Sequence, residues 1–301
     1  MGLARRAEVG IAPAIASAPW LSSPQHELVY ALLSRVAARL DIDIVFIKGP
    51  ILHAQGLRSR EHSGDVDCWV RPGQDIRLAE AMRAWGWRPF YSAFTGTDIP
   101  HSLSLFAGGW GCAVDVHTRF PGMNLDPVIA FEQVLATSER RTFAGNDLRT
   151  PSRPVGAVIF ALHEMRPADG LPPSVAKVAS AVSTLRAAGA DAIAASGLLG
   201  AGYVLNPVLQ DVFPDARIEL SRTGKPPHWD LREMPMGPRK YLRAVGRIRA
   251  RDRVRVLFRL IWPSKDMVHN SQLVKDEEFG HETRARLRRL RIGACRFLRG
   301  K

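Results

Sequence analysis

Residues 63–70 read Ser-Gly-Asp-Val-Asp-Cys-Trp-Val. Asp65 and Asp67 open a stretch whose later members, Cys68, Trp69 and Val70, belong in a strand. On a strand, positions i and i+2 share a face, with Cα atoms roughly 6.5–7 Å apart. Two carboxylates so placed repel one another unless a cation or a paired donor lies between them. A strand end emerging into solvent would tolerate the pair at little cost, so these residues alone leave both arrangements open. A third acid, Asp115, stands in Ala-Val-Asp-Val-His, where the flanking valines mark another buried strand. A carboxylate there is costly unless paired or metal-bound. If the two strands are neighbours, three carboxylates converge on a hard-oxygen site suited to Mg²⁺ or Mn²⁺ bridging a triphosphate. The simpler alternative for Asp115 is a salt bridge to an arginine such as Arg119.

Two further features carry chemistry. Ile-Lys-Gly-Pro at 47–50 is a strand-to-helix turn with Gly49 at the bend and Lys48 beside it. Glycine lets the backbone approach a phosphate, the first amides of the following helix point at it, and Lys48 adds a point charge. A single Lys-Gly turn is weak evidence by itself. His101 opens an expected strand, and His117 shares a face with Asp115. They either orient substrate or phosphate, with His117 assisting proton removal, or form a hydrogen-bonded pocket wall. His163 reads as a satisfied core histidine, Cys68 as core, and Trp85 and Trp87 as packing at a helix-to-strand junction.

The elements that must position these groups follow from periodicity. Residues 24–41 have apolar positions at helical spacing. A short buried strand ends at Gly49, and Pro50 suits the first turn of a helix. A strand covers 65–70, an amphipathic helix runs to about Trp85, and Trp-Arg-Pro-Phe-Tyr-Ser-Ala-Phe, His-Ser-Leu-Ser-Leu-Phe-Ala and Cys-Ala-Val-Asp-Val-His-Thr-Arg-Phe read as three more strands. After about Asn124 the patterns are mostly helical, with a Pro-rich irregular stretch over about 206–238 and one long basic helix from Arg239 to Trp262. That helix is expected to pack through Leu242, Val245, Ile248, Leu257 and Leu260 and to present arginines on its other side.

Composition bounds the class. The 301 residues are 46% hydrophobic and 24% charged, values of a globular protein. The net charge of +13 is uneven: from Arg217 onward there are 23 Lys/Arg against 9 Asp/Glu, whereas residues 1–216 hold 19 against 20. That basic C-terminal part fits an anionic partner such as nucleic acid, nucleotide phosphate or an acidic membrane surface. Aromatic residues for base stacking are sparse there, which argues against a sequence-reading single-strand module. Cys68, Cys112 and Cys295 are widely spaced, without a zinc or disulfide pattern, so a cytoplasmic location is expected. The first twenty residues, interrupted by Glu8 and Pro13, read as an ordinary leader.

In order, a Lys48-Gly49 turn, Asp65-Val66-Asp67, His101 and Val114-Asp115-Val116-His117 resemble the bacterial uncharacterised nucleotidyltransferase family. That family belongs to the DNA polymerase beta-type nucleotidyltransferase superfamily. Ala-Leu-His at 161–163 and Leu-Phe-Arg-Leu-Ile-Trp-Pro-Ser-Lys-Asp-Met-Val at 257–268 are similar to later family landmarks. The chain departs from the pattern at Glu61, where the family carries an arginine that Arg60 or Arg58 would replace, and at Cys68, where the family is aliphatic. The resemblance implies an α+β fold, with a nucleotidyltransferase-type mixed sheet flanked by helices and a mainly helical, basic C-terminal region. The expected division is a catalytic core over 24–123, a helical region over 124–205, and a Pro-rich and basic helical region over 206–301. It also implies a Mg²⁺- or Mn²⁺-dependent enzyme that transfers NMP from an NTP, ATP by expectation, to an acceptor hydroxyl with release of pyrophosphate. Asp65, Asp67 and Asp115 would be the metal ligands and catalytic residues. Lys48, Gly49, Arg60, Ser63, His101 and His117 would contact the nucleotide. The acceptor, a small molecule, protein or RNA, is unassigned; the basic tail favours an anionic one. The alternatives are a nucleotidyltransferase-fold regulatory protein without transfer, and a basic RNA-binding protein in which the acids are incidental.

Overall fold

The structure is a computed structural model describing residues 22–59, 64–108, 110–143, 145–216, 224–268 and 270, with positions 283, 286, 287 and 291. Its centre is a mixed five-stranded sheet in the order β1-β2-β5-β4-β3. The strands are β1 (Ile44–Ile47), β2 (Asp65–Val70), β3 (Arg88–Pro89), β4 (Ser102–Phe106) and β5 (Ala113–His117). Only β2 and β5 run parallel; the other pairings are antiparallel. The expected strand over 87–94 shrinks to Arg88–Pro89 at the sheet edge. Proline lacks a ladder donor, which confines it to such edges, and past it only the Phe90 amide still bonds Ser104 (2.8 Å).

Both faces of the sheet are covered. Phe46, Val66, Cys68, Val70, Val114 and Val116 pack with α1 (Ser22–Arg39) and α3 (Asp75–Met82). Val45, Ile47 and Trp69 face the helical part of the chain. That part comprises α4 (Pro127–Ala136), α5 (Arg153–Glu164), α6 (Val175–Ala188), α7 (Asp191–Leu198) and α8 (Gly202–Val212). Two-residue alternation sorts the β2 side chains, so Asp65 and Asp67 lie on the face of Trp69, beneath α5. The short helix α2 (Pro50–Ala54) follows β1. Its far end is tied to the start of α5, because Gln55 Nε2 donates to the Pro151 carbonyl (2.7 Å) and Arg153 Nε to the Gln55 carbonyl (2.9 Å).

Three departures from the sequence expectation stand out. A hairpin, β6 (Ser138–Phe143) and β7 (Asn146–Pro151), interrupts the region expected to be mostly helical and lies against β1 and α1. Helix α8 extends to Val212, well into the expected irregular stretch, with Pro207 inside it. The expected long basic helix is two, α10 (Pro238–Arg247) and α11 (Ala250–Ile261), following the short α9 (Trp229–Glu233). The break at Ile248 and Arg249, both extended in ψ, rephases the apolar face. Val245, Ile248 and Val256 therefore pack with Phe94, Leu231 and Met267, while Leu242 and Leu257 are 61% and 41% exposed. Among the described residues no helix is long and apolar enough to cross a membrane.

Candidate active site

The parallel pairing of β2 with β5 sets Asp67 and Asp115 side by side as register partners. Ile47, the last residue of β1, is the partner of Asp67 on its other side, so the chain leaves β1 through Lys48 directly beside that carboxylate. Lys48 Nζ lies 2.5 Å from Asp67 Oδ1, and the same oxygen lies 2.7 Å from His117 Nε2. All three side chains are nearly inaccessible. Burial alone would raise the Asp67 pKa; the Lys48 charge and the His117 hydrogen bond outweigh it and hold the carboxyl well below the usual carboxylate range. Asp115 accepts a hydrogen bond from the Ser104 hydroxyl (2.5 Å), its register partner on β4, rather than pairing with Arg119.

These contacts answer why a buried strand tolerates the charges. Asp67 is compensated by an ammonium and an imidazole, and Asp115 by a hydroxyl. Lys48 reaches its position only through an unusual backbone: its φ is 60° and that of Gly49 is 52° with ψ −139°. A lysine in the left-handed region costs about 1–2 kcal/mol, so the turn holds a strained residue at the site. In the first turn of α2, the Ile51 and Leu52 amides bond back to the Lys48 and Gly49 carbonyls (both 3.2 Å), and Pro50 has no N–H.

One carboxylate oxygen each from Asp67 and Asp115, with a ring nitrogen of His117, lie within 4.8 Å of one another, a grouping that could hold a metal ion. The donor chemistry fits a small divalent cation, since two carboxylates suit Mg²⁺ and the imidazole makes Mn²⁺ an equal candidate. His117 Nδ1 is buried without a hydrogen-bond partner, an orphan consistent with a site completed by something else. This trio overlaps the expected Asp65, Asp67 and Asp115 set but contains His117 in place of Asp65. Asp65, at the head of β2, is half-buried on the same face. Arg60 and Ser63 lie outside the described residues.

Above the sheet face, the end of α5 contributes residues that the sequence pattern alone did not assign to the site. His163, expected in the core, is half-buried with Nδ1 3.4 Å from Lys48 Nζ. Arg166 and Arg232 bracket His101, with Arg166 Nη1 3.1 Å from Nε2 and Arg232 Nη2 3.2 Å from Nδ1. A neutral imidazole has only one nitrogen able to accept, and guanidinium groups only donate. One of the two contacts is therefore donor against donor. Burial, then Arg232, His117, Arg166 and Lys48, push the His101 pKa far down, so the ring is neutral. Burial and the Arg166 charge push Arg232 down to about 9. Two half-buried guanidiniums and the buried Lys48 ammonium around two principal carboxylates form a field that favours an added anion.

No family model matches the chain, and no curated protein matches it in sequence. Among solved structures, the antibiotic-resistance factor ANT(2'')-Ia in solution is similar at a TM-score of 0.42 and 14% identity, covering 65% of this chain and 100% of its own. Terminal uridylyl transferase 4 from Trypanosoma brucei with bound GTP is similar at a TM-score of 0.24 and 11% identity, covering 87% of this chain and 74% of its own.

Proposed function

We propose that the protein is a metal-dependent nucleotidyltransferase that moves NMP from an NTP to an acceptor hydroxyl and releases pyrophosphate. The observation that carries this reading is the juxtaposition of Asp67 and Asp115 on adjacent parallel strands, with His117 within ligand reach and the Lys48–Gly49 turn at their side. Asp67, Asp115 and His117 would hold the divalent cation, and Asp65, on the same face, would be a ligand to a second one. Such a cation neutralises charge on the phosphate oxygens and lowers the barrier to displacement at phosphorus.

The chain's own residues do the rest. Lys48 turns its ammonium to the triphosphate, which the Gly49 backbone lets approach. The Ile51 and Leu52 amides are already engaged, so phosphate contact falls to Lys48 and Arg166 rather than to the helix α2 amides. Asp115 takes the acceptor hydroxyl proton, and His117 fixes the Asp67 carboxylate. His101, neutral between Arg166 and Arg232, orients both guanidiniums. Incubation with each α-labelled NTP, Mn²⁺ and candidate acceptors tests this. Label transfer with stoichiometric pyrophosphate release is expected from the wild type and is expected to fall at least a hundredfold in Asp115→Asn. Transfer by Asp115→Asn at the wild-type rate would contradict the assignment.

A further inference from the structure

The sheet order divides the site. The Lys48–Gly49 turn, at the end of β1, lies on one side of Asp67 and Asp115, and His101, at the head of β4, lies on the other. On the His101 side the chain forms a half-open cavity of about 200 Å³ between the end of β5, the start of α4 and α9–α10. One wall is apolar, with Ile99, Phe120 and Met123. The charged and imidazole groups of the lining are Arg119, Arg232 and Lys240, with His101 and His228, and among the described residues no acid lines the space.

Two of the lining bases already have acids: Asp98 holds His228 Nε2 (3.4 Å) and Asp169 holds Lys240 Nζ (3.3 Å), while Asp126 caps α4 through the Val128 amide (2.9 Å). Arg119 Nε is buried with no partner, and Arg232 makes no ion pair with a carboxylate among the described residues. An apolar cavity of about 150 Å³ takes up one benzene molecule. This one therefore admits a single ring or a short alkyl chain together with an acidic group. The His101 ring in its wall is 5.5 Å from the His117 ring, so the cavity borders the carboxylate site across His101.

We propose that this cavity binds the acceptor, and that the acceptor is a small hydroxy acid with an apolar body. This assignment rests on the nucleotidyl-transfer reading for the reaction, though not for the binding. The carboxylate lies between Arg119 and Arg232, the body against Phe120 and Met123, and the hydroxyl toward Asp115. The hydroxyl oxygen forms a bond to the α-phosphorus as the bond from that phosphorus to the pyrophosphate oxygen breaks. The hydroxyl proton passes to Asp115, and the products are an NMP ester of the hydroxy acid and pyrophosphate.

Calorimetric titration of 3-phenyllactate, 2-hydroxyoctanoate and the neutral 3-phenylpropane-1,2-diol into the full chain tests this, with Mn²⁺ and ATP titrated separately. At least one acid is expected to bind ten or more times tighter than the diol. Arg232→Gln or Arg119→Gln weakens that binding at least tenfold, and Met123→Trp abolishes it while ATP binds as to the wild type. Equal binding of acids and diol, or no acid binding to the wild type, overturns the proposal without use of a variant. Loss of ATP binding in a folded Met123→Trp also overturns it, because the cavity then belongs to the nucleotide. Acid binding as described without any NTP binding leaves the hydroxy-acid site standing and removes the transfer reading.

Discussion

Asp67 Oδ1 is shared by two donors, Lys48 Nζ and His117 Nε2, in a site almost closed to solvent. Removing one partner of a buried ion pair costs about 3–5 kcal/mol because the other charge stays buried. Lys48→Met should fall at the lower end of that range, since His117 still holds Asp67. It should also bind Mn²⁺ without nucleotide more tightly than the wild type, and Mn²⁺ should restore part of its lost stability. Urea unfolding with and without Mn²⁺ checks this; an unchanged midpoint in either variant or metal would contradict it. A second expectation concerns acid. Burial, then the Lys48 and Arg166 charges, push the His163 pKa down to about 2. An unfolded histidine titrates near 6.5, so below about pH 6.5 the unfolded chain takes up a proton that the folded state refuses. That contribution is complete above about 6.5 and is lost as pH falls toward 2. The depressed Asp67 carboxyl adds its own loss only below about 3.9. The urea midpoint should therefore already drop between pH 7.5 and 5, and His163→Asn should reduce that drop to the share left by His101 and His228, whose pKa values burial also lowers. A wild-type midpoint constant over this range would contradict it.

At the scale of elements, the carboxylates were legible because alternation on two short strands fixed their face and the Lys-Gly-Pro turn fixed the end of β1. The parallel β2–β5 pairing makes neighbours of Asp67 and Asp115, an adjacency that the strand patterns left as a condition. Arg166 and Arg232 were not legible. Each follows a helix or lies on a short one, and only the docking of α5 and α9 over the sheet brings them to His101. His163 was assigned to the core because apolar neighbours on α5 carry the same pattern whether the helix end is covered or faces a polar site. The β6–β7 hairpin was missed because its exposed strands, Ser-Glu-Arg-Arg-Thr-Phe and Asn-Asp-Leu-Arg-Thr-Pro, bury few residues and show little alternation. The placement of α9 can be tested at Gly170. Its φ is 84°, its amide bonds the Arg232 carbonyl (3.0 Å), and a Cβ there would meet the Pro235 nitrogen at 2.9 Å. Gly170→Ala should lose about 1–3 kcal/mol of stability through left-handed strain and backbone crowding. By displacing Arg232 it should also weaken anion binding. An unaltered unfolding midpoint would show that α9 is not held there.

Over the whole molecule, charge is divided between a balanced sheet-bearing part and a basic C-terminal part. Helices α10 and α11 give that basicity a surface: Arg243, Arg247, Arg249, Arg251, Arg253 and Arg255 are exposed, and among the described residues only Asp230 and Asp252 form salt bridges with any of them. Such a field draws polyanions toward the site without selecting among them. Arg249→Glu/Arg251→Glu should leave stability within about 0.5 kcal/mol, yet elute earlier from heparin and lose salt sensitivity. Undiminished heparin binding would move the polyanion surface elsewhere. The central claim, that Asp67 and Asp115 form a metal-dependent nucleotide site, is tested most directly by calorimetric titration of each NTP with Mn²⁺ or Mg²⁺. The wild type and Asp67→Asn/Asp115→Asn would be compared at matched folded fraction. Binding that requires the cation in the wild type and is lost in the variant is the result expected. Nucleotide binding that is indifferent to the cation and to both carboxylates, or no binding to any NTP, would contradict the account.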